Sequence, residues 1–187
     1  MNAPEKIPSV RHRLRAATDA VHQALHRAAP FAAIADGKAT CQGYAQTLSM
    51  LYRFHAGQAP SCLRAATVLS LPQVAQAHAA RLEALCADIE WLGGTAPCGD
   101  AMAVLRDDAC IGALYTVQGS TLGGKILYRQ LDNLLPDDNG RQFFKGTPDD
   151  GRHWQALCAA LESHPGDIAQ MEAGALAAFR RFQELLG

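Results

Sequence analysis

The stretch Asp108–Leu131, DACIGALYTVQGSTLGGKILYRQL, is the part of this chain that is hardest to house. It reads as a helix, yet Gly119, Gly123 and Gly124 lie near its middle. Each glycine inside a helix costs about 0.5–1 kcal/mol relative to alanine, so three cost roughly 2–3 kcal/mol. Something must offset that. Gly112, Gly119 and Gly123 stand at i, i+7 and i+11 and share one face. Such a bare strip admits close approach, either of a neighbouring helix crossing on small residues or of another body. A third option is two helices split by a turn at Gly123-Gly124, since glycine is a common cause of kinks.

The rest of the chain surrounds this stretch with helical patterns. Pro4 and Pro8 mark residues 1–8 as a loose, flexible arm, and Ser9 can cap the first helix. From Val10 to about Ala29, Leu14, Val21 and Leu25 make one apolar stripe, which Pro30 ends. Phe31 to Lys38 is a connection with a turn at Asp36-Gly37. Thr40 caps a helix over about residues 41–57, with Tyr44, Leu48, Leu51 and Tyr52 on one face. Gly57 and Pro60 interrupt it before a short helix over 62–69. Pro72 starts a long helix to about Leu92, with Leu82, Leu85 and Ile89 inward. Residues 93–97, GGTAP, are a break. Asp100 to Leu105 form one further turn. The glycine helix stops near Pro136, and residues 137–140 form a loop or a short acidic cap. Thr147-Pro148 has cap-then-N1 chemistry and opens a helix through Leu161. Pro165 opens the last helix, residues 166–186, with Ile168, Met171, Leu176, Phe179 and Phe182 inward. No alternating β pattern occurs. The expected architecture is all-α, with one domain over residues 9–187.

Composition narrows the function classes. The chain has 187 residues, 49% hydrophobic and 19% charged, enough for a full-sized core and unlike a disordered segment. A formal net charge of -1 gives no electrostatic footprint for nucleic acid. The six cysteines, Cys41, Cys62, Cys86, Cys98, Cys110 and Cys158, include no CxxC pair, which argues against zinc and thioredoxin-type sites. Scattered one per segment, they fit free thiols in a reducing cytoplasm. The start, MNAPEKIPSVRHR, has no apolar core of a signal peptide, and no run reaches the roughly 18 apolar residues of a membrane span. A cytoplasmic location is therefore expected.

The first helix carries LRAATDAVHQALH, residues 14–26. His22 lies at the edge of the apolar stripe, one turn after Thr18. A neutral imidazole there can be a packed or surface side chain, or it can ligate a metal. His22 and His26 are an i, i+4 pair that could in principle bind zinc, but no motif supplies a third ligand. Arg15 precedes His22 by two turns on the same face, roughly 10 Å along the axis. It is either a solvated charge or a partner for a carboxylate of a planar macrocycle held over His22.

These stretches together resemble the haem oxygenase (heme oxygenase) family. The run Leu14 to His22 is similar to that family's proximal helix, whose histidine ligates haem iron. Gly119-Ser120-Thr121-Leu122-Gly123-Gly124 is similar to its distal helix, where glycines lie against the open haem face. The bacterial branch linked to bacteriophytochromes typically carries a segment like LYVLEGSTLGG, and residues 114–124 here read LYTVQGSTLGG. Gly140-Arg141-Gln142-Phe143-Phe144 and Trp154 also resemble that branch. The resemblance spans roughly residues 11–161. Three departures stand out. Many members have aspartate after the first distal glycine, where this chain, like that branch, has Ser120. Gln118 stands where the branch often has glutamate. The basic residues that some members use for the second propionate have no clear match in residues 153–161.

The resemblance implies a bundle in which haem lies between a proximal and a kinked distal helix. It implies cleavage of haem, as substrate and prosthetic group, to biliverdin, ferrous iron and carbon monoxide, using O2 and an external electron donor. That donor would be a ferredoxin, a flavodoxin reductase or an ascorbate-like reductant, and a bacteriophytochrome would be a possible recipient of biliverdin. His22 would be the iron ligand. Arg15, Thr18, His22, Gly119, Gly123 and Gly124 would contact haem, with Gly119, Ser120 and Gly123 taking part in catalysis. Competing readings are a haem carrier or sensor on the same fold, an all-α enzyme acting on another small molecule, and a helical interaction protein.

Overall fold

The computed structural model describes residues 9–99 and 102–187, so the expected arm over residues 1–8 lies outside the described residues. All regular structure among them is helical. Helix α1 (Val10–His26) begins at Ser9, whose side chain accepts the His12 amide at 3.3 Å. It turns Leu14, Thr18 and Leu25 inward. Pro30 does not end the local helical structure. It sits in the first turn of a short α2 (Ala29–Ala35), where the N–H it lacks would have had no partner anyway.

Thr40 caps α3 (Cys41–Val68) by accepting the Gly43 amide at 3.1 Å. This helix is continuous, and neither Gly57 nor Pro60 breaks it. Pro60 is on the exposed face. Its lost hydrogen bond and ring clash cost about 3 kcal/mol. The turns after it offset this by burying Cys62, Ala65 and Ala66 in the core. Helix α4 (Pro72–Trp91) directs Val74, His78, Arg81, Leu85, Asp88 and Ile89 inward. Residues 102–106 form no regular structure, in place of the expected further turn, and the Leu105 amide is tied to Ser61 Oγ at 3.0 Å.

Helix α5 (Asp107–Gln130) runs unbroken through Gly123-Gly124, so the split-helix option does not form. Helix α6 (Gln142–Lys145) has four residues, too few to hold itself. The buried Asp88 carboxylate of α4 supports it, accepting the Gln142 and Phe143 amides, each at 2.8 Å. Helix α7 (Asp150–Ser163) starts later than Thr147-Pro148 suggests. Asp150 reaches back to the Thr147 amide at 3.0 Å and accepts the Thr147 hydroxyl at 2.8 Å, which holds the intervening residues as a turn. Helix α8 (Ile168–Leu186) is capped by Asp167, which accepts the Ala169 and Gln170 amides.

Two apolar clusters fill the bundle. One gathers Leu14, Phe54, Ala65, Val74, Ile111, Leu114, Leu157, Leu161 and Met171. The other gathers Ile34, Tyr44, Leu48, Leu85, Ile89, Leu131, Phe143 and Phe144. Phe182 and Leu185 of α8 pack against both. Burying each large apolar side chain contributes about 1.5–3 kcal/mol, so the clusters supply most of the driving force for folding. No described helix is long and apolar enough to cross a membrane.

Candidate functional site

The site is organised by a close crossing of α5 on α8. A Cβ added at Gly112 would lie 1.8 Å from the Met171 carbonyl oxygen. One added at Gly174 would lie 1.9 Å from the Ala109 carbonyl oxygen. Only glycine permits backbones to meet so closely. Thr116, one turn past Gly112, still reaches Ala175, its hydroxyl 3.4 Å from that carbonyl. Beyond this point the surroundings of α5 change. A Cβ at Gly119 would make ordinary contact with the Trp154 ring at 3.5 Å, and one at Gly123 would meet nothing within 4 Å. Leu122 and Ile126 are 44% and 65% exposed. Residues 119, 122, 123 and 126 fall at i, i+3, i+4 and i+7, so they form one apolar face with a bare backbone strip along it.

Helix α1 also packs on α8. The His22 ring stands edge-on to Phe179, with centroids 6.1 Å apart and planes at 79°. Phe179 is one turn past Ala175, so His22 borders the stretch of α8 beyond the α5 crossing. Helices α1 and α5 each pack on α8 but scarcely on one another. His22 on α1 and the glycine-lined apolar face of α5 both reach the surface. Tyr115 and Trp154 pack together, ring centroids 5.3 Å apart.

Electrostatics favour a neutral ligand at His22. The residue is exposed, yet enough protein crowds the ring to hold its pKa below the usual histidine value. His26 and Arg15 act in the same direction, and Asp19 opposes them. His26 Nε2 lies 3.2 Å from His22 Nε2. Arg15 is exposed and close enough to act on Tyr115 as well. Ser120 is exposed and donates its hydroxyl to the Val117 carbonyl at 2.7 Å.

Arg15, His22 and Ser120 are exposed and Gly119 and Gly123 half-buried, whereas Thr18 and Gly124 are buried. Thr18 is buried, and its hydroxyl donates to the Leu14 carbonyl at 2.8 Å, because its position on α1 faces the core. Gly124 is buried against Phe144 of α6, where an added Cβ would lie 3.6 Å from the phenyl ring.

The sequence reading did not single out Phe179 as a neighbour of His22, or Trp154 as a neighbour of Gly119. It also passed over a buried polar layer. His55 and His78 lie with ring centroids 5.6 Å apart, and His55 lies 5.2 Å from Phe143. The Arg81 guanidinium sits 4.4 Å above that same ring. Both ring nitrogens of His55, Nε2 of His78, Nε of Arg81 and Nε2 of Gln118 lack hydrogen-bond partners among the described residues, which suits ordered water. Burial holds His55 well below the usual histidine value, and pulls His78 to about 4 and Arg81 to about 10. The available signal was polar residues in an inward register: Val74, His78, Arg81 and Leu85 run at i, i+4, i+7 and i+11.

A hollow of about 350 Å3 lies elsewhere, between α2, the start of α3 and the end of α8, lined by Ile34, Lys38, Tyr44, Met50 and Leu185 among others. No histidine or cysteine lines it. Among the described residues no three His, Cys, Asp or Glu side chains gather to hold a metal ion.

A family model described as Heme oxygenase matches residues 9–187. The chain belongs to the haem oxygenase family. Solved members with the same fold include heme oxygenase from Leptospira interrogans, at TM-score 0.77 and 20% identity, covering 96% of this chain and 98% of that one. The NO- and CO-bound heme oxygenase from Neisseria meningitidis matches at TM-score 0.73 and 23% identity, covering 95% and 90%. Heme oxygenase-1 from the cyanobacterium Synechocystis, in complex with heme, matches at 0.75 and 16%, covering 96% and 91%. No curated protein matches the chain. The all-α expectation thus agrees with a haem oxygenase fold.

Proposed function

We propose that this chain opens haem oxidatively to biliverdin, releasing ferrous iron and carbon monoxide, with O2 and electrons from an external donor. The observation that carries the reading is the uncovered stripe Gly119, Leu122, Gly123 and Ile126 on α5, together with the exposed His22 on α1. The residues fit a flat apolar macrocycle with a metal at its centre. The glycines give backbone access, Leu122 and Ile126 give apolar cover, His22 gives a nitrogen donor and Arg15 a charge for a carboxylate.

When bound, haem supplies the iron and the ring at which oxygen chemistry occurs. The protein's own groups bind and orient. His22 is held neutral and so keeps a lone pair for iron, a ligand that pushes less than a thiolate does. Gly119 and Gly123 keep the distal wall close, and Trp154 closes the side of it. The Ser120 hydroxyl, exposed at that wall, is placed to hold a water where other members use aspartate. A bacteriophytochrome as recipient of biliverdin, a ferredoxin, flavodoxin reductase or ascorbate-like donor, and a cytoplasmic location belong to the same proposal. The six free thiols accord with that location.

Two measurements in sequence test this. Haemin should give a sharp Soret band at one equivalent per chain. A reductant in air should then convert that band to bile pigment. A stable ferrous complex without pigment would make the protein a haem carrier or sensor. No stoichiometric band at all would remove haem from the account.

A further inference from the structure

His22 faces a second histidine. His26 is one turn further along α1, its ring edge-on to His22 with centroids 4.5 Å apart and planes at 88°. The two Nε2 atoms are 3.2 Å apart. Both side chains are exposed. Zinc–nitrogen bonds of about 2.0–2.1 Å at a tetrahedral angle place two nitrogens about 3.3–3.4 Å apart. The pair therefore already has the span of two adjacent ligands on one ion. We propose that His22 and His26 form a two-nitrogen site for a divalent first-row cation of the zinc type, which takes the same nitrogen as haem iron, so that cation and haem exclude one another.

Chemistry and surroundings agree with such a site. Imidazole suits zinc, copper and nickel. Asp19, one turn before His22, adds negative charge near the site, which Arg15 partly offsets. No third protein ligand is present among the described residues, so water completes the coordination and the ion exchanges readily. A readily exchanged ion is what competition with haem requires. The exclusion half of this inference rests on haem binding at His22; the cation half does not.

The test uses zinc ion alone, followed by haemin. Calorimetric titration should show one zinc per chain, weakened at least tenfold by His26→Ala or by His22→Ala. Even an outer partner of a metal ligand contributes about 10–100-fold, and a direct ligand should exceed the lower figure. Haemin added to the zinc-loaded protein should release the ion one for one, read with a zinc indicator dye. It should also bind more weakly there than to metal-free protein. Zinc binding unchanged in His26→Ala, or haemin binding with zinc retained, would overturn the inference. Failure of haemin to bind the metal-free chain would overturn the functional reading and the exclusion with it. The zinc titration would then decide the cation site alone. Circular dichroism of each variant identifies any loss of binding that comes from misfolding.

Discussion

Gly112 and Gly123 lie on one face of α5, eleven residues apart, and meet opposite surroundings. At Gly112 an added methyl group would enter the Met171 carbonyl at 1.8 Å. At Gly123 it would enter open space. The first glycine holds two helices together. The second keeps a surface clear. One residue type at one spacing thus serves packing in one half of the helix and access in the other. The deciding information is the partner across the gap, which is remote in sequence. Close helix crossing and open access are both realised along the glycine strip, each in its own half.

The contrast is sharpest in stability. Gly112→Leu should destabilise the protein by about 3 kcal/mol or more, because the obstructing atoms are backbone and cannot rotate away. Gly174→Ala should also destabilise it, for the same reason. Thermal melting of the apo protein reads this directly, and a melting temperature indistinguishable from wild type would erase the difference between the halves. Gly123→Leu should leave the fold intact while haemin binding and bile pigment are lost. Gly123→Ala should stabilise the apo protein by about 0.4–1 kcal/mol, since it restores helix propensity without a clash. Loss of apo stability in Gly123→Leu with normal turnover per folded molecule would make both glycines packing residues. In the same half of the molecule, His22→Ala should lose the native ferric spectrum, with partial return on adding imidazole. If His26→Ala loses it instead, the wrong histidine has been assigned.

A pH scan separates fold from site without mutation. His55 and His78 are buried and held neutral. The unfolded chain, with histidines near 6.5, therefore binds more protons than the folded one. Stability should fall as pH drops below about 6.5, by up to about 1.4 kcal/mol per pH unit for each histidine, and the His78 share should level off near 4. Urea midpoints between pH 7 and 4 measure this, and the slope should flatten in His78→Gln. The smallest effect is expected at Arg15. Arg15→Glu should weaken haemin binding by about 1 kcal/mol or slightly more, as for an exposed pair turned repulsive. An unchanged dissociation constant at low salt would take Arg15 out of the site.

The sequence was easiest to read where local chemistry and tertiary packing agree. The stripes of α1, α4 and α8 are legible because each helix has one buried face. Proline misled twice in the same direction, as an expected helix stop. Pro30 lies in a first turn, where its missing amide is harmless, and Pro60 lies mid-helix, where core burial on the far side overrides it. Nothing in the dipeptides around them distinguishes those cases. His22 was singled out through the motif around it. Phe179 as its neighbour and Trp154 as the neighbour of Gly119 were not legible, since they come from helices at the opposite end of the chain from α1. Thr18 shares the motif with His22 but faces the core.

The carboxylate of Asp88 has a consequence for the order in which the bundle assembles. Four residues cannot nucleate a helix alone, so α6 gains its shape only after α4 arrives with that side chain in place. It loses both of those carboxylate acceptors if α4 shifts. Its Phe144 covers Gly124, so each opening of α6 uncovers the far end of α5 as well. Amide exchange at Gln142 and Phe143 should therefore report a local breathing of the molecule well below the free energy of global unfolding. The backbone of α5 near Gly124 should exchange in step with it.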